Sequence, residues 1–221
     1  WNLSNIKFYA FIAVAMMFSV SANAQIIYTD VNPNMVLSCT FSLGNPCSGA
    51  YSLDLNNDGM NDFVLSARKK LLTCGVCGPN PVASLADGDS AVISSTLNSW
   101  IADTIGGYAL NTLIDSSLGW TNAIHTLATK RVKCVSCAPS PGTHIVYQPA
   151  IGNWNNVSGN YLPLKVKVGT NIYYGWIKLG VSIGNNFVSV TIMEYAYNSI
   201  ANQPILAGQT TVTGVIENSF A

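Results

Sequence analysis

Leu162 to Val168 reads L-P-L-K-V-K-V. Leu162, Leu164, Val166 and Val168 alternate with Pro163, Lys165 and Lys167, so a period of two lays the apolar row on one face and both lysines on the other. That is a half-buried strand. Outward from it, Ile172–Ile183 and Phe187–Tyr197 carry more strand pattern, and Gly184-Asn185-Asn186 between them supplies a hairpin turn. Upstream, short β-like runs at Ile26–Thr29, Met35–Leu37, Tyr51–Leu55, Phe63–Ser66 and Ala91–Ser94 are separated by turn residues. No long amphipathic helix and no βαβ rhythm interrupts them. The chain therefore reads as all-β, an antiparallel β-sandwich of jelly-roll or lectin-like form. In Leu97–Leu127, Trp100, Ile101, Leu113 and Trp120 are broken by Gly106-Gly107 and Gly119, which predicts a short helical or loop insertion around 95–130.

The segment Tyr51–Phe63, Y-S-L-D-L-N-N-D-G-M-N-D-F, holds three of the chain's ten acidic residues within nine positions. Asp54, Asn56 and Asp58 alternate, Gly59 follows, and Asp62 closes the run, so oxygen donors recur at relative positions 1, 3, 5 and 9. Calcium takes six to eight oxygens at about 2.3–2.6 Å, and a wrapping loop adds a glycine turn and a backbone carbonyl near position 7, here Met60. Asp54, Asn56, Asp58, Met60 and Asp62 are the predicted ligands of a structural Ca²⁺. Position 12 is Leu65 rather than a bidentate Glu, and both flanks alternate as strands, so this is a hairpin tip and not an EF-hand. The loop resembles the D-x-D-x-D-G-x-x-D loops of integrin-type propellers and thrombospondin type 3 repeats, but a single copy implies neither repeat fold. The competing reading is a plain Asn/Asp/Gly turn. Against it, Asp58 and Asp62 repel Asp54 at close range unless a cation intervenes.

At the N-terminus, Lys7, the apolar run Phe8–Val20 and the small-residue end Ser21-Ala22-Asn23-Ala24 form a secretory signal with an A-x-A cleavage pattern. The run is short for a membrane span, so a mature chain from Gln25 with no stable transmembrane segment is expected. The domain reading is signal peptide 1–24, one sandwich domain 25–208 and a linker tail 209–221. Without Lys7 the chain carries nine basic and ten acidic residues, a formal net of minus one. Nucleic-acid binding needs a basic excess, and Arg68-Lys69-Lys70 and Lys130-Arg131-Lys133 are too short to supply it. Charged residues make up only 9% of the chain, so the surface is polar and largely uncharged, as suits a secreted or cell-surface protein.

Six cysteines in an exported chain read first as disulfides. Cys39 and Cys47 flank F-S-L-G-N-P and would staple the entrance to the acidic hairpin. Cys74 with Cys77 and Cys134 with Cys137 form two CxxC pairs in similar settings, which suggests that the two segments lie together; three connectivities remain among these four. Zinc is the sharper alternative, but 56 intervening residues far exceed a ribbon spacing of about 15–20. A redox CxxC needs a helix N-terminus, and Gly and Pro crowd both motifs instead.

Catalytic signatures fail on context. Gly180-Val181-Ser182-Ile183-Gly184 matches a nucleophile elbow, but a strand follows where a helix is required. Ser66-Ala67-Arg68-Lys69 leaves a strand without companion motifs. His125 and His144 lack a partnered nucleophile. Glu194, placed on the face opposite Ile192 and flanked by Tyr195 and Tyr197, is the acid that a sugar site would use. Tyr174 and Trp176 share a face around Gly175, which would let a neighbouring strand or ligand approach closely.

Taken together, Y-L-P-L-K-V-K-V at Tyr161–Val168, Y-Y-G-W-I-K-L at Tyr173–Leu179, V-T-I-M-E-Y-A-Y-N at Val190–Asn198 and N-Q-P-I-L-A-G-Q at Asn202–Gln209 resemble a group of secreted bacterial proteins. These combine an L-D-L-N-N-D-G-x-x-D-F segment with a Y-G-W strand and a P-I-x-A-G ending, ahead of a sorting domain of the type IX or PEP-CTERM kind. The resemblance implies export and surface attachment, and it implies no activity. The sorting domain would begin beyond Gly208, so a truncated chain is the expectation. Function is then expected to be non-catalytic, structural or adhesive. The alternatives are a carbohydrate-binding module using Trp100, Trp120 or Trp154 as exposed aromatics, or a glycan-active hydrolase, with an extracellular glycan or envelope component as partner.

Overall fold

The computed structural model describes residues 25–40, 47–69, 84–102, 107–136, 143–185 and 187–211. The signal segment and the end of the tail lie outside them. Among the described residues there is no helix, and the strands pair antiparallel throughout.

One sheet has six strands. It begins with β1 (Ile26–Thr40), whose length comes from joining two of the expected runs across Asn32-Pro33-Asn34. The second sheet follows in the chain as a meander of β2 (Cys47–Leu53), β3 (Phe63–Lys69) and β4 (Ser84–Ser95). The chain then crosses to the first sheet with β5 (Ser99–Ala102), makes the short strands β6 (Leu113–Ile114) and β7 (Trp120–Thr121), and returns as β8 (Ile124–Ser136) and β9 (Thr143–Ile151). A meander of β10 (Val157–Val168), β11 (Asn171–Ile183) and β12 (Phe187–Asn198) completes the first sheet, and β13 (Ile205–Leu206) pairs with β6. The orders are β1-β12-β11-β10-β5-β7 and β2-β3-β4-β8-β9.

The inner faces meet in one apolar core, where Leu164, Ile177, Leu179 and Val190 from the six-stranded sheet pack against Leu53, Phe63, Leu65 and Ile93 from the other. This is the sandwich expected from the period-two pattern, with the L-P-L-K-V-K-V leucines inside. A second, smaller core lies on the outer face of the six-stranded sheet. There Tyr161, Tyr174, Trp176 and Ala196 are roofed by Ile114 of β6 and Ile205 of β13. Tyr174 and Trp176 thus share a buried face, as their spacing implied.

Among the described residues of the stretch around 95–130 there is no helix, and short strands stand where a helix or loop was expected. β5 and β7 attach to the sheet edge through Leu164↔Ile101 and Ala102↔Trp120, pairings that no local periodicity announces. Three strands of this sheet also break register at one level. β10 does so at Gly159, with a φ of 81°, β12 at Met193 between Ile192 and Glu194, and β1 between Asp30 and Met35. Strict alternation would put Ile192 and Glu194 on the same face. The extra residue Met193 turns Ile192 into the core and Glu194 out of it.

Candidate functional site

The acidic segment is the tip of the β2–β3 hairpin, closed by the Leu53↔Phe63 pair and by Asp62 N donating to Leu53 O at 2.8 Å. The turn needs left-handed backbone at Asn57 (φ 58°) and Gly59 (φ 87°), conformations that Asn tolerates and Gly adopts freely. Inside it, Asp54 accepts from Asp58 N (3.2 Å) and Gly59 N (2.8 Å), while Asp58 accepts from Met60 N (2.9 Å) and from the Asn56 amide (3.0 Å). Asn56 Oδ1 in turn lies 3.3 Å from Asp58 N. The three alternating donors of the motif therefore converge on one another. The Met60 side chain is exposed, leaving its backbone to the loop.

Asp62 is the buried member, 6% exposed, and accepts from Leu55 N at 2.9 Å. Burial pushes its carboxyl up to about 6, and the charges of Asp58 and Asp54 push the same way against the backbone hydrogen bonds of Leu55 and Asn56. No basic group enters this balance. The loop is also tied to both sheets. The Tyr197 hydroxyl of β12 donates to Asn56 O at 3.1 Å, and Ser99 Oγ of β5 donates to Asp62 O at 2.6 Å. Leu55 is fully buried against Gly175, where an added Cβ would lie 2.9 Å from Leu55 Cδ2 and 2.6 Å from Ala196 O. The close approach read into Gly175 is made by β12 and by this loop.

Among the described residues, no three His, Cys, Asp or Glu side chains are set as metal ligands. The loop carboxylates are turned to the N–H groups named above. The donor set is nevertheless all oxygen, three carboxylates and an amide in nine residues, with one carboxylate buried and uncompensated. Its chemistry suits a hard divalent cation such as calcium.

The remaining candidates scatter. Trp154 is 2% exposed and packs in the main core, which corrects the expectation of an exposed ring; the turn after β9 folds it between the sheets. It lines a cavity of about 90 Å³ with Ile101, His125 and Leu127, and its Nε1 is buried without a hydrogen-bond partner among the described residues. Trp100 and Trp120 do come together, on the outer face of the six-stranded sheet. Lys165 Nζ lies 4.9 Å from the Trp100 ring centre and 4.8 Å from that of Trp120, a convergence no sequence spacing announced. Trp120 Nε1 donates to Asp115 O at 2.9 Å.

Glu194 accepts from Tyr28 Oη at 2.6 Å and pairs with Lys178 at 2.9 Å. Burial alone would raise its carboxyl, but these two hydrogen bonds outweigh it and hold the group below its usual range. Such an acid is a poor proton donor. Ser182 lies within β11 and Ser66 within β3, so neither sits on an elbow. His125 shares a hydrogen bond with Thr121, and His144 is placed on β9 by backbone alone.

Cys39 is fully buried on β1. Cys47 and Cys134 are placed by backbone on β2 and β8, and Cys74, Cys77 and Cys137 lie outside the described residues. Cys134 pairs in register with Ser84, where β4 leaves the segment that carries Cys74 and Cys77. No helix among the described residues is long and apolar enough to cross a membrane. No family model, curated protein or solved structure matches this chain.

Proposed function

We propose that the chain is a secreted or cell-surface, non-catalytic β-sandwich of structural or adhesive role, stabilised by Ca²⁺ at the β2–β3 tip. The observation that carries this reading is Asp62, a buried carboxylate beside Asp54 and Asp58 with no basic side chain among the described residues to offset it. A divalent ion held by Asp54, Asn56, Asp58, Asp62 and the Met60 carbonyl would supply the missing charge. Because the loop is fastened to β5 and β12 as well as to its own hairpin, the ion would also lock one end of the two sheets together. Export rests on the signal pattern 1–24, and surface attachment on the resemblance to sorted bacterial proteins.

The test is thermal melting of the oxidised chain in calcium and in EDTA, beside Asp58→Ala. A ligand binding only the folded state at a hundredfold excess over Kd adds about 2.7 kcal/mol, or roughly 5–10 °C for a domain of this size. A calcium-dependent rise abolished by Asp58→Ala supports the ion site. Equal melting in both buffers reduces the loop to an acidic turn.

A carbohydrate-binding role is the second reading, favoured by the convergence of Trp100 and Trp120 around Lys165. A hydrolase finds no support in Glu194, whose oxygens are committed to Tyr28 and Lys178.

A further inference from the structure

The outer face of the six-stranded sheet brings a cation and three aromatic rings together by register alone. Lys165 on β10 stands directly across from Trp100 on β5 and from Tyr174 on β11. Trp120 reaches the same face from β7, paired to Ala102 two residues beyond Trp100. The ammonium sits within 4.9 Å of both indole centres, and Trp120 leans on Tyr174 with ring centres 5.9 Å apart. This cation is held between two ring faces, which fixes a side chain that is otherwise highly mobile.

Among the described residues no carboxylate lies within ion-pair distance of Lys165, whereas Lys178 on the neighbouring strand is paired with Glu194 at 2.9 Å. The nearby Asp115 carboxylate is turned to Ser117, accepting from its N at 2.8 Å and its Oγ at 2.6 Å. Lys165 is partly shielded from water, and burial is the cause that lowers its amine below the ordinary lysine range. Two positions along β10, Lys167 is exposed on the same face and adds a second positive charge.

A fixed cation flanked by apolar rings, with no carboxylate partner among the described residues, matches a ligand that offers a carboxylate next to a flat C–H face. We propose that Trp100, Lys165 and Trp120 form a binding platform for an acidic polysaccharide, with Lys165 taking a uronate carboxylate and the indoles covering the adjacent sugar rings. This rests on the carbohydrate-binding reading and narrows it to charged glycans. Nucleic acid, the other polyanion that stacks on aromatics, is disfavoured by a chain with ten basic and ten acidic residues.

The experiment is titration calorimetry of the full oxidised chain with polygalacturonate, its methyl-esterified form and a neutral β-glucan, repeated for Lys165→Gln and Trp100→Ala. The result expected is binding of polygalacturonate that weakens with salt and with esterification. Loss of the charge in Lys165→Gln should weaken it roughly tenfold or more while the melting temperature stays at the wild-type value. Melting is the control for Trp100→Ala as well, and Lys165→Gln decides if that variant fails to fold. Binding of the neutral glucan alone overturns the charged-glycan assignment and leaves the carbohydrate reading standing. Absence of binding to every glycan overturns both. Polygalacturonate binding that Lys165→Gln leaves unchanged, or that single-stranded DNA displaces equally well, places the contact elsewhere and overturns the platform.

Discussion

Tyr197 donates its hydroxyl to the backbone carbonyl of Asn56, 3.1 Å away and 141 positions earlier in the chain. The ring is steadied by an edge contact with Tyr173, so the hydroxyl arrives at the loop from a braced position on β12. Tyr197→Phe keeps the ring and removes this one tie. A hydrogen bond of this kind contributes about 1 kcal/mol, so the variant should melt roughly 2–4 °C below the wild type. Its calcium-induced rise should shrink too, since the loop loses its hold on the six-stranded sheet. Melting curves in calcium and EDTA read both effects, and superposition with the wild type in both buffers would show that the tie carries no load.

Asp62 makes a prediction whose sign changes with the ion. At pH 7 its buried carboxylate is largely ionised, against burial and the charges of Asp54 and Asp58. Asp62→Asn removes that charge and keeps an oxygen for Leu55 N, the present partner at 2.9 Å. In EDTA the variant should therefore be more stable than the wild type, by on the order of 1 kcal/mol. In calcium it should be less stable, because a ligand oxygen has lost its charge. Destabilisation of equal size in both buffers would mean that Asp62 serves packing and not an ion.

The hairpin tip, the β10–β12 meander and the sandwich class were legible because each rests on local chemistry. Asn, Asp and Gly mark the turn, and alternation marks the faces of Leu162–Val168. What escaped the sequence depends on partners far along the chain. Short strands such as β5 and β7 exist only by pairing with β10 and with each other. Trp154 reads as an exposed aromatic, yet its ring fills the gap between the sheets. Glu194 does lie on the face opposite Ile192 as read, but the reason escaped the sequence: Met193 is inserted opposite a continuous β11, and an inserted residue leaves no trace in a pattern of two. The acidic tip shows the same division. Its residue types were readable, whereas the burial of Asp62 was not, since that is made by Ser99 and Leu55 after folding.

The Tyr28–Glu194–Lys178 group sets a pH dependence on both flanks. Glu194 titrates below its ordinary value in the folded chain, so its contribution is present above the unfolded carboxyl range and is lost as pH falls through the folded value. Tyr28 is raised to about 12, chiefly by its hydrogen bond to Glu194, so its contribution is present below about pH 10 and fades between 10 and 12. Glu194→Gln should flatten the acid flank of a stability–pH curve measured by denaturant titration and bring the Tyr28 phenol back toward 10. Ultraviolet titration of tyrosine tests the second effect directly. A phenol that still titrates near 12 in Glu194→Gln would assign the shift to burial rather than to the carboxylate.

The Cys39–Cys47 disulfide remains a proposal that one contact makes sharp. Leu37 of β1 lies against Gly49 of β2, where an added Cβ would stand 3.5 Å from Leu37 Cβ. Two residues along each strand toward their connection come Cys39 and Cys47, so the facing that joins Leu37 to Gly49 sets the two cysteine positions at neighbouring strand ends. Cys39 is fully buried at this end of β1. A bridge here would join the edge of one sheet to the edge of the other, at the mouth of the core and beside the hairpin that carries the acidic loop. Closing a loop of this length constrains the unfolded chain by about 2–3 kcal/mol. Replacing both residues by Ser in Cys39→Ser/Cys47→Ser should lower melting by roughly 5–10 °C and leave the calcium-induced rise in place, because no loop ligand is touched. Peptide mapping without reduction should recover Cys39 and Cys47 in one linked fragment. Recovery of Cys39 linked to a CxxC cysteine instead would break the pairing.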